Sequence, residues 1–467
     1  MIALPLAELA GILDGVLQLP VGGREDSRVD GPVVVDSRLA TPGSIFFAMP
    51  GEETDGHRFA AAAVAAGAVV VVAERPLTVA APVILVPSSL AALAELARVV
   101  VARVRSAGTL RVVAVTGSNG KTTTKNMLRA ILERVGTVVA PRGSFNNQVG
   151  APLSMLEVGW ETDFLVVEMG ASAAGEIAHL VSIVMPDVAI VLKVGLAHAG
   201  GFGSIEETQK AKAELVTGLP QGAVAVLNAD DSRVAAMAGQ TRAQLVWFGL
   251  SDAAQLRAED IDISVRGTEF TLVTGATRRP VRLRILGEHH VLNALAAIAA
   301  TAQLGVDLSV AVDALEGLAR AERWRMELVE APGGYTVIND AYNASPDSMA
   351  AALKTLAEVT RGTRRSVAVL GEMAELGSLA DEEHDRIGRL VVRLNVEKLV
   401  VVGRAARHIH NAAGLEGSWD GESVLVASAD EAYDLLRGEL RSGDVVLVKS
   451  SNSAGLRLLG DRLGGVG

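Results

Sequence analysis

The residues best suited to carry chemistry lie in the segment Val112 to Thr124, which reads VVAVTGSNGKTTT. Glycines let the backbone of such a turn curl so that successive N–H groups point at phosphate oxygens. A lysine at the start of the following helix can reach terminal phosphates, and the next threonine can place its hydroxyl on Mg²⁺. We therefore predict a site for ATP and Mg²⁺, with contacts from Thr116, Gly117, Ser118, Asn119, Gly120, Lys121, Thr122 and Thr123.

The match to the general phosphate-loop pattern is incomplete. Val115 stands six residues before Lys121, where that pattern has a glycine. A plain glycine turn before a helix would explain the same letters. The order of strand, glycines, lysine and threonines favours the phosphate site, as does the rarity of lysine, which supplies eight of the 43 basic residues.

Three residues further along the chain are candidates for metal binding and activation. Glu168 ends the apolar stretch FLVVE, so its carboxylate would lie at the ligand edge of a parallel sheet; alternatively it is a solvated acid at a strand end. His198 follows the next strand and could reach the same edge, or it is a structural histidine. Lys212 lies in a helical pattern two residues after Lys210, and the spacing leaves open that both lysines are solvated.

The elements that must position these residues indicate an α/β protein of three domains. Residues 1 to 106 mix short strands with helices, and the first residues, MIALPLAELAGILDG, are typical of an amphipathic helix. From Leu110, and again from about Arg325, strands alternate with helices, which predicts parallel sheets with ligands at the carboxyl ends of the strands. We predict a small mixed α/β domain (1–106), a central phosphate-loop ATPase domain with a parallel sheet (107–320) and a C-terminal Rossmann-like domain (321–467).

Composition narrows the class of protein. A net charge of −11 argues against a nucleic-acid binder, which would carry a basic field. Cysteine is absent, which removes thiolate chemistry and fits a reducing compartment. The longest run without a polar side chain, Phe59 to Ala73, is shorter than the ~20 residues of a membrane span. We expect a cytoplasmic monomer without a membrane span.

The motifs resemble those of the Mur ligases, which join amino acids or dipeptides to a UDP-muramoyl carrier. After TGSNGKTTT, the family's order continues with EMGAS (Glu168–Ser172), GLAHAGGFGS (Gly195–Ser204), AKAEL (Ala211–Leu215), LNADD (Leu227–Asp231) and HHVLNALAA (His289–Ala297). Three further segments are similar to the branch that adds D-alanyl-D-alanine to UDP-N-acetylmuramoyl-tripeptide: Asp36–Phe59, Ser144–Pro152 and, most specifically, NDAYNASPDSM at Asn339–Met349. The resemblance implies an ATP-dependent ligase of peptidoglycan precursor synthesis that works through an acyl phosphate.

The resemblance also implies roles for residues. Lys121 would hold the β- and γ-phosphates, Thr122 and Glu168 would bind Mg²⁺, and His198 would ligate a second Mg²⁺. Lys212 aligns with a lysine that family members carbamylate, which makes it an anionic metal ligand; Lys121, Lys212 and His198 are thus the implied catalytic residues. Further ATP contacts would come from His289, Asn293, Arg325 and Asp340. The carrier and the incoming dipeptide would meet Ser37, Arg38, Asp55, His57, Asn146, Asn147, Tyr342, Asn343 and Ser345, with the carrier bound by the N-terminal domain.

Some positions depart from the family's pattern, and rival functions remain open. The departures are Lys193 in place of asparagine, His290 in place of asparagine, Trp324 in place of glycine, and KSSNSAGL from Lys449 in place of a KGSR-type phrase. One rival is the Mur ligase that adds the third residue, although its DYAHTPD and DNPR motifs are missing here; another is a folylpolyglutamate-type ligase. A non-catalytic nucleotide-binding regulator and a simple phosphate-loop kinase are rivals of a different class.

Overall fold

A computed structural model describes residues 1–51, 54–141, 143–196, 202–318, 322–417 and 419–466 of the chain. Over these ranges the fold is α/β with three domains, which confirms the predicted class, and each domain is built on its own main sheet. The exact domain limits at residues 106 and 320 stay predictions. None of the helices in these ranges combines the length and the apolar character needed to cross a membrane.

The N-terminal domain is organised on a sheet of short apolar strands. Its elements are β1 (Leu4–Pro5), α1 (Leu6–Ile12), β2 (Val16–Gln18), β3 (Arg28–Val29), β4 (Val33–Val34), β5 (Ile45–Phe47), α2 (Ala60–Ala65), β6 (Val70–Ala73), β7 (Val83–Leu85) and α3 (Ser89–Ala107). The strand order is β2-β7-β6-β5-β4, with β2 antiparallel and the other pairs parallel. The first helix is shorter than predicted, because Leu4 and Pro5 pair with β3 and the helix begins only after the proline.

The central domain carries the phosphate loop. Its elements are β8 (Arg111–Thr116), α4 (Lys121–Leu132), β9 (Val138–Val139), α5 (Gly150–Met155), β10 (Phe164–Glu168), α6 (Glu176–Ile183), β11 (Val188–Val191), α7 (Ile205–Thr217), β12 (Val224–Asn228), α8 (Ser232–Ala235), β13 (Gln244–Gly249), β14 (Leu256–Ser264), β15 (Gly267–Thr274), β16 (Thr277–Leu283), α9 (Glu288–Ala302) and α10 (Leu308–Glu316). The strand order is β16-β15-β14-β13-β12-β11-β8-β10-β9.

Strand β8 lies inside this sheet, between the parallel strands β11 and β10. Its apolar side chains alternate between two hydrophobic clusters: Val112 and Ala114 pack on one face, Val113 and Val115 on the other. Burial on both faces explains the continuous apolar run and holds the strand rigidly. The loop that follows β8 is therefore presented at the carboxyl edge of the sheet, beside the end of β10.

The C-terminal domain has a six-stranded sheet that is parallel except for one antiparallel edge strand. Its elements are β17 (Glu327–Glu330), β18 (Thr336–Asn339), α11 (Pro346–Thr360), β19 (Ser366–Leu370), α12 (Ala380–Arg393), β20 (Lys398–Val402), α13 (Arg407–Leu415), β21 (Glu422–Val426), α14 (Ala429–Glu439), β22 (Val445–Lys449) and α15 (Leu456–Gly464). The strand order is β17-β18-β22-β19-β20-β21, with β17 antiparallel to β18. Helix α11 begins at Pro346, and Ser345 caps it in a capping box.

Candidate active site

The turn between β8 and α4 has the geometry of a phosphate-binding loop. Gly117 and Gly120 adopt φ values of +155° and +89°, which residues with a side chain rarely adopt. A Cβ atom at Gly120 would stand 2.4 Å from Oδ1 of Asn293, so this position also needs glycine for lack of space. Helix α4 begins at Lys121, and no side chain among the described residues caps it, so its first N–H groups are donors that favour an anion.

Lys121 lies folded against the loop. Its Nζ donates to the carbonyl oxygen of Gly117 at 2.7 Å, and burial lowers its pKa below the ordinary value. Residues Ser118 to Thr123 line the adjacent cavity, whereas Thr116 is the buried last residue of β8. The loop therefore supplies backbone donors and one desolvated cation to the same space, which is the arrangement that a polyphosphate requires.

The carboxylate of Glu168 stands beside the hydroxyl of Thr122, at the end of β10. Its Oε1 accepts hydrogen bonds from Thr122 Oγ1 at 3.3 Å and from Asn146 Nδ2 at 2.7 Å. Glu168 is fully buried, and its Oε2 has no hydrogen-bond partner among the described residues. A buried carboxylate oxygen without a partner, next to a threonine hydroxyl, fits the oxygen ligands that Mg²⁺ takes.

Lys212 is buried on α7, with 2% of its surface exposed. Burial, and secondarily the positive charge of Lys121, lowers its pKa to about 7. The ring of Phe202 lies 5.8 Å from its Nζ. The reading of Lys212 as a solvated lysine is therefore excluded by its burial, whereas Lys210 is exposed and pairs with Glu207 at 2.6 Å. His198 lies outside the described residues.

Helix α9 closes the other side of the phosphate loop with two histidines and an amide. The rings of His289 and His290 are 4.1 Å apart, and Nδ2 of Asn293 is 3.3 Å from Nδ1 of His290. Burial lowers the pKa of His289 to about 4 and holds that of His290 well below its ordinary value. Both rings are thus neutral at physiological pH, so they offer hydrogen bonds and flat surfaces rather than charge.

The C-terminal domain places Arg325 directly on this site. Its Nη2 donates to Thr122 Oγ1 at 3.2 Å and to Ser144 Oγ at 3.3 Å, and its guanidinium stacks on the ring of Tyr342 at 4.3 Å. The hydroxyl of Ser345, which caps α11, donates to Oδ1 of Asn119 at 3.1 Å. Residues that are some two hundred positions apart thus meet at the phosphate loop.

Sequence reasoning missed several polar residues at this meeting point. Lys449 is buried, and its Nζ donates to Oδ2 of Asp340 at 2.6 Å and to the carbonyl oxygen of Asn343 at 2.9 Å. Lys193 pairs with Asp347 across the two domains at 3.7 Å. The rarity of lysine in the sequence is a signal that could have pointed to both lysines.

These groups surround one cavity of about 790 Å³, within the ~300–1,000 Å³ usual for small-molecule sites. Its lining includes the predicted residues Lys121, Thr122, Glu168, Asn146, Asn147, His289, Asn293, Arg325, Asp340, Tyr342, Asn343 and Ser345. Asn147 also uses its Oδ1 to accept from the N–H of Gly150 at 2.8 Å, which anchors the start of α5. A second cavity of about 140 Å³ adjoins the first at Asn343 and Ser345.

The predicted carrier residues of the N-terminal domain do not line this cavity. Arg38, next to Ser37, is exposed and pairs with Asp36 at 2.6 Å. His57 is buried, with Nδ1 2.6 Å from Asp55 and Nε2 accepting the N–H of Glu74 at 2.9 Å, so both ring nitrogens are used within the domain. The geometry gives His57 a structural task, and its contact with the carrier stays a prediction.

The fold and the cavity define a phosphate-loop, nucleotide-binding α/β protein. In comparisons, the chain matches "Mur ligase family, catalytic domain" at residues 32–107, "Mur ligase middle domain" at 115–301 and "Mur ligase, glutamate ligase domain" at 324–452. A UDP-N-acetylmuramoyl-tripeptide–D-alanyl-D-alanine ligase from Mycobacterium tuberculosis is 44% identical, over 99% of this chain and 98% of that one. The enzyme of the same name from Escherichia coli is 35% identical, over 98% and 97%.

Solved structures agree with these relatives. MurF from Acinetobacter baumannii has a TM-score of 0.88 at 30% identity and covers 100% of this chain and 99% of its own. MurF ligase from Thermotoga maritima, in complex with ADP, has a TM-score of 0.81 at 28% identity and covers 94% and 98%. The chain belongs to the Mur ligase family.

Proposed function

We propose that the chain is the ligase that joins D-alanyl-D-alanine to UDP-N-acetylmuramoyl-tripeptide, at the expense of ATP, in peptidoglycan precursor synthesis. The observation that carries this proposal is the shared cavity, because it brings the phosphate loop, a buried carboxylate and the YNASPDS segment of the C-terminal domain to one place. Relatives with this enzyme's name support the proposal, because they align with the chain over nearly the full length of both sequences. ATP and a UDP-linked carrier are cytoplasmic compounds, and we propose that the chain acts there as a monomer.

The reaction must activate a carboxylate, which is a poor acceptor for an amine. A terminal carboxylate oxygen of the carrier attacks the γ-phosphorus of ATP, the bond to ADP breaks, and an acyl phosphate forms. The amine of D-alanyl-D-alanine then attacks the acyl carbon and loses a proton, and phosphate leaves with the carboxylate oxygen. Both reactants of the first step are anions, so its main requirement is cations around the γ-phosphate.

Among the described residues, Lys121, the N–H groups at the start of α4 and Arg325 bring positive charge to this place. Mg²⁺, when bound, supplies further neutralisation, and Thr122 and Glu168 are the described residues that would hold it. Lys212 as a carbamate, together with His198, would hold a second ion. The neutral rings of His289 and His290 and the amide of Asn293 would bind the adenosine part, with Asp340 on the ribose.

The two peptide substrates occupy the remaining parts of the site. Asn146 and Asn147 are proposed for the muramoyl part and Ser37 and Arg38 for the more distant uridine diphosphate. Asp55 and His57 are proposed as further contacts of the carrier. The smaller cavity suits the incoming dipeptide, because Ala344, Ala374 and Leu376 offer apolar contacts for its methyl groups, while Asn343, Ser345 and Ser451 offer hydrogen bonds. Tyr342 lines the larger cavity, and its Oη lies 3.4 Å from Ser144 Oγ.

A substrate panel tests the proposal. The protein is incubated with ATP, Mg²⁺ and UDP-N-acetylmuramoyl-tripeptide, and with D-alanyl-D-alanine, glutamate or diaminopimelate in separate reactions. Phosphate release that requires D-alanyl-D-alanine, with a UDP-linked pentapeptide as product, is expected. Release with glutamate or diaminopimelate alone would instead identify a folylpolyglutamate-type or third-residue ligase, and nucleotide binding without any turnover would identify a regulator.

A further inference from the structure

Lys125 is a buried lysine to which neither the motifs nor the reaction assign a task. It lies on α4, one turn after Thr122, and only 1% of its surface is exposed. Its Nζ donates to the carbonyl oxygens of Pro141 and Gly143, each at 2.8 Å. Among the described residues no carboxylate forms an ion pair with it, so two backbone carbonyls are the partners of a buried charge.

Such a placement is unfavourable unless the ammonium does something that an apolar side chain could not. Transfer of a charged group out of water costs free energy, and burial lowers the pKa of Lys125 for this reason. A methionine or leucine could fill the same space without that cost. The ammonium differs from them in being able to bind two carbonyl oxygens at once, on either side of position 142.

The two carbonyls belong to the chain segment that leads into the active site. Ser144 follows immediately, and its hydroxyl lies 3.0 Å from Thr122 Oγ1, 3.3 Å from Arg325 Nη2 and 3.4 Å from Tyr342 Oη. Asn146, two residues later, donates to Glu168. The position of this segment therefore sets how Ser144 and Asn146 meet the proposed metal ligands and the C-terminal domain.

We propose that Lys125 is a positioning residue for ligation: its ammonium fixes the segment 143–147 against α4, so that Ser144 and Asn146 are held where carrier, phosphate and C-terminal domain meet. The inference rests on the proposed function, because the carrier is the substrate whose binding it governs. The phosphate loop itself is held by β8 and α4 and does not depend on this contact. Loss of the ammonium should therefore affect the carrier far more than the nucleotide.

The test compares Lys125→Met, which keeps length and apolar volume, with Lys210→Met, which makes the same change at an exposed lysine. In Lys125→Met, two hydrogen bonds from a charged donor are lost, and kcat/KM for the carrier should fall by about 30-fold or more, mainly through a higher carrier KM. The dissociation constant of ADP, measured by calorimetry without carrier, should stay within about threefold of the wild type, because the phosphate loop that binds ADP is intact in this variant. Lys210→Met should keep wild-type values.

A folded Lys125→Met protein with the wild-type carrier KM would overturn the inference. A variant that loses only kcat, by the same factor as its folded fraction falls, would also overturn it. If Lys125→Met does not fold, Ser144→Ala tests the same segment and should reproduce the rise in carrier KM; wild-type kinetics for Ser144→Ala would also overturn the inference. Wild-type protein that releases no phosphate with carrier and D-alanyl-D-alanine would contradict the proposed function instead.

Discussion

The fold changes the chemistry of the Lys212 amine. Burial and the charge of Lys121 lower its pKa from 10.5 to about 7. At pH 7 about half of such amines are neutral, compared with about three in ten thousand for an ordinary lysine, a gain of about 1,500-fold. Only the neutral amine adds CO₂, so this environment favours the carbamate that the family resemblance implies. The carbamate would turn a cation into an anionic ligand near the phosphate loop.

Replacing Lys212 by alanine removes both the amine and the carboxylate that it can become. We expect Lys212→Ala to lose at least about 100-fold in kcat, the scale of losing one group that stabilises charge in the transition state. Bicarbonate or short carboxylates such as formate and acetate should restore part of the activity by occupying the vacated space. Lys210→Ala, two residues away and exposed, should behave like the wild type.

The pH dependence follows from the same pKa. Since the neutral amine is the reactive form, its fraction falls from about 0.9 at pH 8 to about 0.1 at pH 6. At a fixed concentration of dissolved CO₂, carbamate and activity should therefore fall together as the pH decreases through 7. Steady-state phosphate release in CO₂-depleted and CO₂-supplied buffer measures activity, and a ¹³C carbamate signal after addition of ¹³CO₂ measures the modification. Full activity of Lys212→Ala, or activity indifferent to CO₂ without a carbamate signal, would refute the reasoning.

Three further changes test the loop and the interface between the domains. Lys121→Ala should reduce carrier-dependent ADP formation by at least about 100-fold with an unchanged circular dichroism spectrum, and turnover close to wild type would contradict its role. Gly120→Ala forces a side chain into positive φ and into a neighbouring amide, so ADP affinity measured by calorimetry should fall, while Gly218→Ala, where nothing lies within 4 Å, should bind normally. Ser345→Ala and Ser428→Ala each remove a helix cap, and each should lower the free energy of unfolding by about 1 kcal/mol in denaturant titrations. Only Ser345→Ala should also reduce kcat. Equal kcat values for the two variants would argue against the contact of Ser345 with the phosphate loop.

Local sequence pattern was sufficient for those parts of the site that neighbouring residues build together. The phosphate loop and the strand end at Glu168 each depend on a short run of residues with its own periodicity or turn chemistry. The antiparallel strands β14 to β16 were not predicted, because they are partly exposed and lack the continuous apolar runs of the buried parallel strands. Alternation of burial rather than continuous apolar runs is typical of such strands.

Contacts between distant segments could not be read from the sequence. The roles of Ser144 and Lys449 depend on side chains that lie more than twenty and more than one hundred positions away, respectively. Trp324 is another residue whose contacts come from a distant segment of the chain. It adopts a φ of +58°, which explains why glycine would suit this position, and its indole Nε1 donates to Asp461 at 3.0 Å. The hydrogen bond that offsets the backbone conformation comes from a helix at the far end of the chain.

The claim at the centre of this account is that a carboxylate oxygen of the carrier attacks the γ-phosphate held at Lys121. Carrier labelled with ¹⁸O in its terminal carboxylate, incubated with the wild-type protein, ATP, Mg²⁺ and D-alanyl-D-alanine, tests it directly by mass spectrometry of the phosphate released. We expect one ¹⁸O atom in each phosphate, because that oxygen leaves with phosphorus when the amine displaces it. Unlabelled phosphate released alongside the ligated product would contradict the account.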